Sequence, residues 1–417
     1  MNDTCSERNT GRAAVALSRR GLLGGAAAAL AAGPLLGAAE AAQPAAAPPP
    51  RKIKLGQIGY GGRGRWIAKL FQQHGGYEFT AVADYFPDVA QAAGEALGVD
   101  KSRRFSGLSG YRKLLASGVE AVVLQDVPYF YPEQAQAAVD AGCHVYTAKP
   151  VAVDVPGCLA IGAAAAQATR EKRCFLADYQ LPLQKPVIEV AQRVRQGAIG
   201  KLAHILSIGF GWQGWPDPPL GPTIESRLKE EIWLSDTALS GDTIVSYDIH
   251  IIDAVVWLLG RRPAAACGIS RTCRPAPHGD RTDAAGVVYQ LDDGTLWTHS
   301  TQSITNSFDV TTLSASLFGL EATAHIQYGG KVYVRGGKNS FAGTCGDIYL
   351  EGAVQNIADF HRNIVEGHFE NPTAQRAVDG TLTAILGREA AARKRFLTMD
   401  ELVKENRRLA VDLKGLA

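Results

Sequence analysis

The sequence predicts an α/β chain. An N-terminal doubly wound parallel sheet is expected, followed by a C-terminal α+β domain built on a large, mostly antiparallel open sheet. Three observations predict it. Ile53–Ile58 is a short apolar run that enters a glycine-rich turn and then an amphipathic segment. From Ile53 to about Gln180, strand-like and helix-like stretches alternate. After about Lys201 the texture changes to strand candidates separated by turn signals, such as Asp292-Asp293-Gly294 between two apolar runs. The expected division is residues 1–50 as leader and linker, 51–180 as the parallel-sheet domain, and 181–417 as the α+β domain. The final helices are expected to pack back on the first sheet.

At 417 residues the chain has room for two domains and a large core. A formal charge of +2, with 20% charged residues, gives no basic surface for nucleic acid. Ser18-Arg19-Arg20-Gly21-Leu22-Leu23 is a twin-arginine pattern. An Ala/Leu/Gly run to Gly37 and the small residues Ala38-Ala39-Glu40-Ala41-Ala42 complete an export leader with a cleavage site. That run is weakly hydrophobic and short for a bilayer, so no stable membrane anchor is expected. The expected partner is the twin-arginine export machinery, and the destination is the periplasm or the exterior. Residues 43–50, ending Pro48-Pro49-Pro50, read as a flexible spacer.

Ile53–Ile58 is the first strand, and Gly59-Tyr60-Gly61-Gly62-Arg63-Gly64 is a G-x-G-x-x-G turn. Gly59 permits the tight turn, Gly61 lets backbone approach a diphosphate, and Gly64 lets the next helix pack on the strand. That helix carries Trp66, Ile67, Leu70 and Phe71 on one face, and its N-terminus offers free N–H groups to phosphates. The strand Phe79–Ala83 ends at Asp84, 20 positions after Gly64, close to the spacing of a ribose-binding acid. Together these read as a dinucleotide site. Asp84 would accept from both ribose hydroxyls and repel a 2′-phosphate, and Tyr85 and Phe86 follow it rather than Arg. NAD is therefore the expected cofactor, with Arg63 leaving NADP open. A folded protein on the twin-arginine route would carry its nucleotide with it, so tight retention is expected.

The alternation continues with helices at Pro87–Leu97, Tyr111–Ser117, Pro132–Ala141, Val155–Glu171 and Pro186–Gln196. Strands are expected at Ala121–Leu124, His144–Thr147 and Cys174–Ala177. Cys143 and Cys174 begin strands that should be neighbours, which leaves a disulfide or two buried thiols open. In the second domain, Leu202–Phe210 reads as a strand and Ile244–Leu259 as one long apolar helix closed by Gly260. Further strands are expected at Val287–Leu291, Thr295–Thr301, Thr311–Leu317, Thr323–Gln327 and Lys331–Arg335. Helices are expected at Ala353–Glu366 and Asp379–Lys394.

Two residues stand where chemistry could happen. Lys149 follows a parallel strand at its carboxyl end, where ligands bind in open α/β sheets, although such a lysine also suits a solvated surface. His250 lies in an apolar helix on the same face as Ser246 and Asp253. It is either a hydrogen-bonded core histidine or a base for a hydroxyl proton. Tyr179 and Gln180 follow the Cys174–Ala177 strand and could touch cofactor or sugar, or pack in the core. Trp212, Trp215 and Trp233 lie in or near a Pro/Gly-rich stretch and suit either sugar stacking or burial. No His/Cys/Asp cluster has metal-ligand spacing, so no metal is expected.

From about Lys52 onward the chain resembles the glucose–fructose oxidoreductase / inositol dehydrogenase / MocA family. The landmarks are Gly59–Gly64, the approach Ala141-Gly142-Cys143-His144-Val145-Tyr146 to Lys149-Pro150, and Ser240-Gly241-Asp242 before His250-Ile251-Ile252-Asp253. The resemblance implies a Rossmann domain, a second domain whose open sheet builds homo-oligomers, and oxidation or reduction of a secondary alcohol on a sugar or polyol. It implies that Lys149 and His250 carry the reaction and that Pro128-Tyr129 contact the nicotinamide ribose. Two positions depart from the family pattern. Ala148 stands where the family has Glu before Lys-Pro, and Ser246 where it has a carboxylate four residues before the His. Asp248, two before His250, points elsewhere on a regular helix and would serve only through an irregular helix start. Two other readings remain: a glycoside hydrolase that uses bound NAD transiently, and a non-catalytic nucleotide- or sugar-binding protein.

Overall fold

The structure is a computed structural model that describes residues 51–211, 223–229, 231–273, 279–304 and 312–417. The leader, Trp212 and Trp215 lie outside the described residues.

Six strands, β1 (Ile53–Ile58), β2 (Tyr77–Asp84), β3 (Arg104–Ser106), β4 (Ala121–Leu124), β5 (His144–Ala148) and β6 (Phe175–Asp178), form the first sheet. All pair in parallel, in the order β3-β2-β1-β4-β5-β6. Every residue of β4 and β5 is buried, as a sheet covered on both faces requires. The covering helices are α1 (Gly62–His74), α2 (Pro87–Leu97), α3 (Gly110–Leu115), α4 (Tyr131–Asp140) and α5 (Val155–Arg170). Strand order reverses between β1 and β4, which opens a crevice outside their carboxyl ends.

After α6 (Lys185–Arg195) come β7 (Leu202–Gly211) and the short helices α7 (Ile224–Leu228), α8 (Thr237–Ser240) and α9 (Asp242–Ser246), then α10 (Ile249–Leu259). Next follow β8 (Ala265–Arg271), β9 (Ala284–Gln290), β10 (Leu296–Ser303), β11 (Thr312–Gly319), β12 (Thr323–Gln327), β13 (Lys331–Arg335) and β14 (Phe341–Thr344). The chain then runs through α11 (Ile348–Glu366), α12 (Pro372–Arg393), β15 (Leu397–Thr398) and α13 (Met399–Glu405). The second sheet has the order β14-β13-β12-β11-β7-β10-β9-β8-β15, antiparallel except where β7 runs beside β10. Its strands alternate. Ile205, Tyr289, Trp297 and Leu317 are buried on one face, while Leu206, Val288, Leu296 and Phe318 are exposed on the other. Helix α10 packs on β7 and β11, and α12 lies against β8 and β9 as well as α5 and β6, so α12 touches both sheets.

Sequence patterning missed β3, β8, β14 and β15, which are short or lack a clean apolar alternation. The stretch 244–259 is not one helix: α9 ends at Ser246 and α10 begins at Ile249. Cys143 and Cys174 are buried free thiols, and the Cys143 thiol donates to the Val119 carbonyl at 3.5 Å.

Candidate active site

The glycine turn closes as its spacing requires. Gly59 has a φ of +86°, and a Cβ there would stand 2.4 Å from the Asp126 amide nitrogen. A Cβ on Gly64 would stand 2.5 Å from the Gly59 carbonyl oxygen, so this glycine lets α1 close onto the turn. Around Gly61 a Cβ would meet nothing within 4 Å: that side is open. The first turn of α1 holds no acidic residue, and its leading N–H groups have no intrahelical partner. Above it lies a cavity of 1260 Å³, lined by Gly61, Asp84, Phe86, Asp126, Trp233 and Leu413 among others.

Asp84 closes the far side of the turn. Its carboxylate accepts from the Tyr60 amide at 2.8 Å and the Phe86 amide at 3.1 Å. Each oxygen keeps acceptor capacity for a ribose hydroxyl. Burial raises its pKa, and the two amides resist that rise. Tyr60 is buried beside the turn, and the Tyr85 hydroxyl donates to Glu225 at 3.2 Å.

Gly62 and Arg63 both line the cavity. The Arg63 guanidinium binds Asp178 and the Tyr349 hydroxyl and lies 5.4 Å from the Trp66 ring centroid and 5.0 Å from that of Tyr349. The buried Asp178 carboxylate anchors its guanidinium beside the turn. Pro128 is buried, and the Tyr129 hydroxyl accepts from the Val411 amide at 3.4 Å. Gln125, Asp126, Val127 and Phe130 of the same turn line the cavity instead.

Lys149 reaches the segment that leads into the helix of His250. The Lys149 ammonium donates to the Ser246 carbonyl at 2.7 Å. Burial, and then the Arg63 charge, bring its pKa down to about 7, with Asp178 and Asp248 pulling the other way. His250 is buried, its ring 4.9 Å from that of Tyr328. Burial, and then the charges of Lys149 and Arg63, push its pKa well below the usual histidine value, so it is neutral at pH 7.

The joint between α9 and α10 sets this geometry. The amides of Tyr247 and Asp248 both donate to the Thr243 carbonyl, at 2.8 and 3.2 Å. His250 donates to Tyr247 rather than to Ser246, at 3.4 Å. The Ser246 carbonyl is thus left to accept from Lys149. Glycines on β7 admit the joint: a Cβ on Gly209 would stand 1.9 Å from the Asp248 carboxylate, and one on Gly211 2.9 Å from the Tyr247 ring.

The joint also redirects Asp248. Its carboxylate meets His299 Nε2 at 3.0 Å, and His299 Nδ1 meets Ser207 Oγ at 2.8 Å. Asp248 therefore orients neither Lys149 nor His250 through a hydrogen bond and reaches Lys149 only through its field. Asp253, on the other side of α10, pairs with Arg376 at 3.2 Å and belongs to the core.

Two substrate candidates also move. The Tyr179 ring is buried with the Arg376 guanidinium 5.3 Å from its centroid, which makes it a core residue. Trp233 lies on the wall of the nucleotide-sized cavity, packed in one cluster with Val127 and Phe86. Gln180 stays near the site, donating to Asp178 at 2.8 Å and accepting from the Tyr328 hydroxyl at 3.0 Å. Asn356 adds a second donor to Asp178 at 2.8 Å.

A model of an oxidoreductase family with an NAD-binding Rossmann fold matches residues 53–176. A model of the GFO/IDH/MocA C-terminal domain matches residues 187–325. The chain belongs to the GFO/IDH/MocA oxidoreductase family. Inositol 2-dehydrogenase 3 of Saccharopolyspora erythraea is 28% identical over 210 residues, 50% of this chain and 54% of that protein. An uncharacterized oxidoreductase of Streptococcus pneumoniae is 25% identical over 213 residues, 51% of each chain. The chain thus spans about half the length of the curated relatives it matches. Among solved structures, levoglucosan dehydrogenase in complex with NADH superposes with a TM-score of 0.68 at 16% identity, covering 84% of this chain and 99% of that one. The aldose-aldose oxidoreductase of Caulobacter crescentus, complexed with glycerol, gives 0.66 at 18% identity, covering 84% and 100%. At these identities the structural likeness shows the fold.

The residues present fit the family's NAD. Gly61 leaves the space for a diphosphate, the α1 N-terminus faces it, and Asp84 stands ready for a ribose. Sequence reading overlooked Asp126, Asp178, Tyr328 and Asn356. The first two follow β4 or end β6, so the strand-end rule that singled out Lys149 covers them too. Tyr328 and Asn356 arrive from distant segments and leave no local signal.

Proposed function

We propose that this chain is an exported oxidoreductase that oxidises a secondary alcohol on a sugar or polyol, using a tightly held nicotinamide cofactor. NAD is the favoured nucleotide, since Asp84 opposes a 2′-phosphate and Arg63 is committed to Asp178. The observation that carries the reading is the Lys149 ammonium held on the Ser246 carbonyl, at the joint that leads into the helix of His250. Nicotinamide bound in the cleft supplies the hydride acceptor for a CH–OH carbon. His250, neutral at pH 7, takes the hydroxyl proton. The Lys149 ammonium holds the oxygen as negative charge grows on it. The Gln180–Tyr328 pair offers polar contacts to the substrate beside His250. The twin-arginine leader supports export. The exposed face with Leu206, Val288, Leu296 and Phe318 supports assembly of like chains through the second sheet.

The test begins with the purified exported protein. Denaturation should release NAD or NADH in near-equal amount to protein. A panel of sugars and cyclitols should then reduce the bound nucleotide. His250→Asn should lower that rate by roughly 10²–10⁴-fold with nucleotide content unchanged. Unchanged turnover in that variant would remove the mechanism. Release of a chromogenic aglycone with no net NADH would replace the dehydrogenase reading with transient-oxidation glycoside hydrolysis.

A further inference from the structure

Residues 409–417 do not continue a helix or a strand, yet they are well anchored. Leu409-Ala410-Val411-Asp412-Leu413 alternates, with Leu409, Val411 and Leu413 partly buried and Ala410 and Asp412 exposed. Three main-chain hydrogen bonds hold the segment. The Leu409 amide donates to Asp154 at 2.8 Å, and the Val411 amide to the Tyr129 hydroxyl at 3.4 Å. The Leu108 amide donates to the Ala417 backbone oxygen at 2.8 Å. Asp154 is itself fixed, since its other oxygen caps α5 through the Gly157 amide at 2.8 Å.

Side chains follow the same path. Val411 and Leu416 join the apolar cluster that contains Tyr85, Phe86, Val127 and Trp233. Leu413 reaches the cavity itself, whose lining also includes Tyr85, Phe86 and the loop Gly107–Ser109. These lie beside Asp84, the end of β2, where a ribose-binding acid marks the adenosine half of a dinucleotide. Gly107 has a φ of +84°, and a Cβ there would stand 3.0 Å from the Ala417 oxygen, so the loop is shaped to receive the segment.

We propose that residues 409–417 form a strap that completes the adenosine side of the nucleotide cleft and slows nucleotide release. The inference rests on the dinucleotide reading above. The strap is held by three main-chain bonds and three apolar side chains, with no regular secondary structure, so it can lift without disturbing either sheet. It gives an exported protein a physical means of keeping its cofactor where free nucleotide is scarce.

The test compares the full chain with a chain ending at Arg408 and with Leu413→Ala. NADH dissociation, followed by its fluorescence after mixing with excess unlabelled nucleotide scavenger, should be about tenfold faster without the strap and a few-fold faster in Leu413→Ala. AMP and ADP-ribose should weaken in parallel, while nicotinamide mononucleotide should bind as before. Equal NADH release in all three proteins would overturn the strap. So would an equal loss for nicotinamide mononucleotide, which would mark general loosening of the fold. Should the full chain bind neither NADH nor AMP, the dinucleotide reading itself would fall. Should it bind both while the strap variants match it, only the strap would.

Discussion

Arg63 and Asp178 form an ion pair that ties the glycine turn to the carboxyl end of β6. The Asp178 side chain is fully buried and takes two further donors, from Gln180 and Asn356, both at 2.8 Å. A residue of the nucleotide turn and a residue beside Lys149 are thereby fixed relative to each other.

Arg63→Met leaves Asp178 charged and buried beside two neutral donors. The expected loss is about 2 kcal/mol of unfolding free energy, below the range for a fully buried pair because Arg63 keeps some exposure. Adding Asp178→Asn to Arg63→Met should recover part of that loss. Denaturant titration of the four proteins of the cycle checks the coupling, and strictly additive effects would show that the pair contributes nothing.

Lys149 should impose a falling limb on activity near pH 7. Its ammonium holds the reacting oxygen, and its pKa sits at about 7. His250 titrates well below 6.5, so the rising limb lies on the acid side. Lys149→Arg should abolish the fall near pH 7 and lower turnover about 10²-fold. The stability consequence has a definite sign. The folded pKa is depressed from 10.5, so between about pH 7 and 10.5 the native state binds fewer protons than the unfolded one, and stability from this group rises with pH. Lys149→Met should lose that slope in thermal unfolding measured across the window.

Asp126 should make nucleotide binding sensitive to alkali. It lines the cleft near Gly59, accepts from Gln134 at 2.5 Å, and has one buried oxygen without a partner. Burial pushes its pKa up to about 8; Gln134 resists the rise and the Asp84 charge adds to it. Below pH 8 the carboxyl is neutral. Above it, a negative charge faces the diphosphate, so affinity should fall by up to about tenfold per pH unit, the limit for one linked proton. NADH titrations from pH 6 to 10 should show that fall in the natural protein and a flat line in Asp126→Asn.

Two glycine substitutions should separate fold from binding. Gly59→Ala meets the Asp126 backbone at a positive φ and should cost more than about 1 kcal/mol of stability. Gly61→Ala meets nothing and should leave stability within about 0.5 kcal/mol. Its cost should appear as weakened binding of NADH, because the methyl group stands where the diphosphate must come close. Unaltered NADH affinity in Gly61→Ala would place the diphosphate elsewhere.

The parts legible in the sequence were those set by local geometry. The turn Gly59–Gly64, the acid Asp84 and the strand-end Lys149 obey spacing rules that hold whatever the rest of the chain does. The partner of Arg63 was not legible, since Asp178 lies 115 positions away and only the folded sheet brings them together. Tyr179 and Trp233 were ambiguous for the same reason: an aromatic ring suits a core, a roof or a sugar equally well until its neighbours are known. The break at Tyr247-Asp248 had only a partial sign, the polar residues Ser246 and Asp248 in a mostly apolar stretch, because its cause sits on β7, at Gly209 and Gly211.

That break has a bearing on which residues the site needs. The group that receives the Lys149 proton donor is a peptide oxygen, which carries no ionisable proton and is present whatever side chain occupies position 246. Substitution there leaves the acceptor in place, so Ser246 is free to drift. The constraint moves to the two glycines of the neighbouring strand, whose missing side chains keep the bend in being.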